Sequence, residues 1–161
     1  MRRSFFASAL TAGLIAGTLD ITGACINAYI KSDGKTTPAA VLKYVASGAF
    51  DPKTFSNGTL LAICGLLVHF FIAISFTLFF FFLAKQIPSL VKYPIPIGIL
   101  YGIFVWAAMR FIILPTLSRH VQKPIVGEEA IKNAAINAGI LVVCIGIPVA
   151  LLARRYVRTK P

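Results

Sequence analysis

The stretch Phe5–Ile30, FFASALTAGLIAGTLDITGACINAYI, constrains the fold of this chain more than any other. It contains no proline and a single charged side chain, Asp20. A helix rises about 1.5 Å per residue, and about 20 apolar residues cross the hydrocarbon core of a bilayer. Lipid offers no water to backbone polar groups, so a run that crosses must close its own hydrogen bonds as a helix. Read at steps of four and three, Gly13, Gly17, Asp20, Ala24 and Asn27 share one face. Leu10, Leu14, Ile15, Leu19 and Ile26 fall on the others. The first face suits contact with protein and the second suits lipid. A charge near mid-span costs about 3 kcal/mol on insertion scales, which aims Asp20 at a partner or a cavity.

Three more apolar runs follow, so the spacing predicts spans over about 5–30, 60–83, 93–114 and 130–152. The expected fold is an all-α membrane protein, an antiparallel bundle of four transmembrane helices forming one integral domain over 1–161, with the first helix central. In the second span His69 is the strongly polar side chain, with small Gly65 and Ala73 one turn away on either side. The third opens on YPIPIG, where Pro94 and Pro96 lose little by lacking N–H groups, and Pro115 is expected to stop it. Gly98 and Gly102 form a GxxxG packing motif, and Arg110 lies near the far end, within reach of the interface by snorkelling. The fourth carries Asn133, Asn137, Ile140, Cys144 and Pro148 along one side. Pro148 denies the Cys144 carbonyl its helical partner and predicts a kink.

Between the first two spans, Thr36 or Thr37 can cap a helix with Pro38 in its first turn and Gly48 near its end. Val41, Leu42, Tyr44, Val45 and Ala49 give it an apolar side, yet ten or so residues cannot span. A short surface helix, on the non-cytoplasmic side or tucked over the bundle, is expected. Asp51-Pro52 and Asn57-Gly58 read as turns.

Composition excludes several functions. Hydrophobic residues make up 58% of the chain and charged residues 13%, about half the usual share. The net charge of +11 does not indicate nucleic acid, because the cations lie between apolar runs and form no stripe with interleaved aromatics. Anionic lipid suits them better. Cys25, Cys64 and Cys144 have no CxxC spacing, and His69 and His120 have no cysteine or acid beside them, so neither metal nor cofactor is expected. Arg2-Arg3 ahead of an apolar run, and ITGAC before Cys25, also suit a cleaved signal. Asp20 and the helical seam favour a permanent span instead.

Four spans put both termini on one side. Arg2, Arg3, Lys85, Lys92, Arg154, Arg155, Arg158 and Lys160 flank the spans closely on that side, which the positive-inside rule assigns to the cytoplasm. Counting from the middle of each run, Asp20 and His69 fall about 4 Å to the outer side of the midplane, and Arg110 and Asn137 about 7 Å. The expectation is an intramembrane polar cluster of Asp20, His69, Arg110 and Asn137, with Gly13, Gly17, Gly65, Gly98 and Gly102 as packing positions.

The segments AGTLDI, TPAAVLKYVASGAF, GLLVHFFIA, LYGIFVW and GIPVAL resemble a family of small uncharacterised bacterial inner-membrane proteins with four transmembrane helices. The resemblance implies a bacterial inner membrane and brings no catalytic residues. No nucleophile, base and orienter stand at a recognisable spacing, so an enzyme is not expected. The expected role is a structural or accessory subunit that binds another membrane protein or itself. The alternative is a small proton- or ion-translocating protein using Asp20 and His69.

Overall fold

A computed structural model describes residues 4–117 and 124–158. Its helices are α1 (Phe5–Lys31), α2 (Pro38–Ala49), α3 (Gly58–Gln86), α4 (Pro94–Thr116) and α5 (Glu128–Val157). All but α2 are long and apolar enough to cross a membrane. Among the described residues no strand occurs.

Local chemistry sets the helix ends. Thr37 Oγ1 accepts the Ala40 N–H at 3.3 Å, with Pro38 in the first turn of α2. Asn57 Oδ1 accepts the Thr59 N–H at 2.8 Å, so Asn57-Gly58 caps and opens α3 instead of forming a separate turn. α1 closes where Asp33 and Gly34 adopt φ of 51° and 82° and the Gly34 N–H returns to the Tyr29 carbonyl at 2.9 Å.

Both internal prolines are absorbed by wide turns. Pro115, expected to stop the third span, lies within α4. Residues Met109–Ile113 form a π turn, and the Leu114 N–H bonds the Met109 carbonyl five residues back. Pro148 likewise follows the π segment Val142–Gly146, where the Ile147 N–H bonds the Val142 carbonyl. A proline in a regular helix lacks a donor and clashes with the carbonyl four residues earlier. One extra residue in the preceding turn rearranges that contact, so the helix continues with a bulge.

α1 packs on α3 at Gly13 and Gly17, where a Cβ would come within 3.0 Å of Ile74 and of Phe70. α4 packs on α5 more closely still. A Cβ at Gly98 would stand 2.8 Å from the Ile147 backbone, and one at Gly102 would overlap the Val142 backbone. The GxxxG of α4 thus faces the π segment of α5, with Gly146 completing the close approach. Aromatic side chains bridge α3 to α4: Phe80 and Tyr101 rings lie 4.6 Å apart, and Tyr101 Oη donates to the Phe76 carbonyl at 2.5 Å. α3 and α5 each touch the other three spans, so these two and not the first helix hold the central place.

α2 lies along the first turns of α3. A Cβ on Gly65 would overlap the Leu42 carbonyl, and Ala46 lies beside it. Gly65, expected to share the seam of His69, therefore serves α2, because the short helix needs the smallest residue to lie flat there. The core gathers at the end holding the termini, in Ala9, Ala12, Phe80, Phe81, Val149 and Tyr156. At the opposite end Glu128–Leu141 buries no residue.

Candidate functional site

The small face of α1 turns inward: Gly13 and Gly17 are buried, Asp20, Ala24 and Asn27 half-buried, and Leu10, Leu14, Ile15, Leu19 and Ile26 exposed. This division follows from the spacing of small residues, since a helix presents its smooth side where another backbone must come close.

α1 and α5 run antiparallel in a constant register. Asn27 Nδ2 donates to Asn137 Oδ1 at 3.3 Å. One turn along, a Cβ on Gly23 would meet Ile140 at 3.1 Å and Cys144 Sγ at 3.3 Å. Asp20 and Cys144 come next, within electrostatic reach of one another. Cys144 belongs to the π segment, so the bulge that accommodates Pro148 also places its thiol at the level of Asp20.

α3 closes the layer from the other side. His69 Nε2 lies 2.9 Å from the Gly17 carbonyl, one turn from Asp20. That carbonyl requires Nε2 to carry a proton, which leaves Nδ1 able to accept or release one. A carboxylate beside an imidazole can clasp two helices or exchange a proton, and both follow from the same geometry.

The structure thus sets His69 one turn from Asp20 and bonds Asn137 to Asn27. These form two layers about 10 Å apart, two helical turns, and not one cluster. Asn27 entered the sequence reading only as part of the α1 seam; its pairing could have been found by aligning the small face of α1 against the Asn137–Cys144 side of the fourth span. Arg110 occupies the π turn of α4, a helix that packs on α5 and on the aromatics of α3. The packing positions divide three ways: Gly13 and Gly17 toward α3, Gly98 and Gly102 toward α5, and Gly65 toward α2. Cys25, Cys64 and Cys144 are free and half-buried. Among the described residues no three of His, Cys, Asp and Glu gather as metal ligands. Arg2, Arg3, Arg119, His120, Lys123 and Lys160 lie outside the described residues.

Four apolar helices and their polar layers define a multi-pass membrane protein in contact with the lipid bilayer. No protein-family model, curated protein or solved structure matches the chain.

Proposed function

We propose that this chain is a structural or accessory subunit of a bacterial inner membrane, with both termini cytoplasmic, whose outer half receives a helix of another membrane protein or of a second copy. The supporting observation is the contrast along α5. Its turns near the termini carry the core, whereas Glu128–Leu141 buries no residue. Asn137 is exposed there, and its bond to Asn27 leaves further donors and acceptors on both amides. Polar groups turned to hydrocarbon are costly, and a neighbouring helix that bonds them removes the cost. The reading assigns the chain no catalysis and no cofactor. The test is a cysteine at position 137 in a chain whose own cysteines are replaced by serine, treated in native membranes with a thiol-anchored photocrosslinker. A discrete adduct from position 137 and none from Ile95, exposed on α4, is expected. Equal yields at both positions would remove the reading.

A second reading, proton movement through Asp20 and His69, is favoured by the bond of His69 to the Gly17 carbonyl, which sets the imidazole one turn from Asp20 on the α1–α3 seam. Vesicles holding the protein and a pH-sensitive dye test it. Flux in the parent chain that Asp20→Asn abolishes, with helicity retained, supports this reading; absent flux, or flux unchanged in Asp20→Asn, rejects it.

A further inference from the structure

A cavity of about 220 Å³ opens at the termini end of the α1–α5 seam, lined by Ala7, Ser8, Thr11, Leu152, Arg155 and Tyr156 among others. Ala7, Thr11 and Arg155 are exposed, so it opens on the outside of the bundle. Three hydroxyls of α1 fold back on the carbonyl four residues earlier: Thr11 on Ala7, Thr18 on Leu14 and Thr22 on Thr18, at 2.7–2.8 Å. Ser8 does not. Its Oγ is buried and has no hydrogen-bond partner among the described residues, and the same holds for Nε of Arg154 at this end of α5. Buried polar atoms left this way are rare in folded proteins and call for a ligand or water.

Among the described residues the charged side chains at this end are basic. Lys85 sits 5.9 Å over the Phe5 ring, which in turn packs on Tyr156 at 5.9 Å. Lys85, Arg154 and Arg155 are thus gathered at one end, while the five acids are Asp20 at mid-span and Asp33, Asp51, Glu128 and Glu129 at the far end. We propose that this cavity seats a phosphate ester, held by the Arg155 guanidinium and the Ser8 hydroxyl. The planar fork of arginine matches phosphate oxygens, and a basic hollow between helices at the membrane surface suits a lipid headgroup. At about 220 Å³ the hollow is smaller than the roughly 300 Å³ at which drug-sized pockets begin, so it takes a headgroup and not a large solute. The apolar Leu152 and Ala12 give its floor, and the exposed side of α1 continues from it toward Leu14, where an acyl chain can lie.

The test uses the full chain in mild detergent, with dioleoyl phosphatidylglycerol, dioleoyl phosphatidylcholine and inorganic phosphate as separate probes, read by native mass spectrometry and thermal unfolding. One phosphatidylglycerol retained per chain, with a raised Tm, is expected. Arg155→Gln should weaken retention about tenfold, the loss of one charge-assisted contact. Ser8→Ala keeps the charge and should weaken it severalfold, and it stands as the test if Arg155→Gln does not fold. Lys53→Gln, which removes the same charge at the far end, should change nothing. Protection by phosphatidylglycerol and not by inorganic phosphate assigns the seat to lipid; protection by both assigns it to a soluble phosphate ester. Retention equal in Arg155→Gln, Ser8→Ala and Lys53→Gln, or no retention at all, overturns the proposal.

Discussion

His69 Nε2 on α3 lies 2.9 Å from the carbonyl oxygen of Gly17 on α1, one helical turn from Asp20. The absence of a side chain at Gly17 lets Phe70 and Ala73 approach, and that approach brings the neighbouring imidazole over the α1 backbone. The same contact therefore fixes the spacing of two spans and sets the imidazole one turn from Asp20.

Asp20→Ala removes the carboxylate one turn from the His69–Gly17 contact and should destabilise the fold by about 1–3 kcal/mol, the usual range for loss of a half-buried polar group. Asp20→Asn should cost less, because an amide still bonds. Urea unfolding in detergent micelles, followed by circular dichroism, measures both; an Asn variant as unstable as the Ala variant would show that the charge itself matters.

Gly65→Ala forces a Cβ into the Leu42 carbonyl. The expected penalty is about 1–3 kcal/mol, as for other overpacked contacts. It should fall locally on α2. Thiol labelling of Lys43→Cys should therefore speed up in the Gly65→Ala background, while labelling at an α4 position stays constant.

Gly102→Ala and Gly139→Ala should move stability in opposite directions. The first drives a Cβ into the Val142 backbone, in a contact that cannot relax without separating α4 from α5, and should cost about 1–3 kcal/mol or more. Gly139 faces open space in mid-helix, so alanine there should gain about 0.5–1 kcal/mol through reduced backbone freedom of the unfolded chain. Paired thermal unfolding of the two variants checks the sign.

Tyr101→Phe removes the hydroxyl that donates to the Phe76 carbonyl and should cost about 1 kcal/mol. Tyr101→Ala also empties the aromatic wedge formed with Phe80 and Phe104, and about 3–5 kcal/mol is expected. If both variants lose the same amount, the hydrogen bond and not the ring holds α3 to α4.

The sequence by itself determined the four spans, the capped helix α2 and the inward face of α1. Each rests on a local rule: enough apolar residues in a row, a hydroxyl ahead of Pro38, small residues at helical spacing. The tertiary structure alone decided which seam meets which. Gly65 went to α2, Asn27 found Asn137, and α3 and α5 became the helices that touch the other three spans. Pro115 did not end α4, because a π turn widened the helix ahead of it. Between helices in lipid there is little hydrophobic drive, so close packing and interhelical hydrogen bonds select the pairing. Those terms depend on the shape of two surfaces at once, and a single helical period describes only one of them.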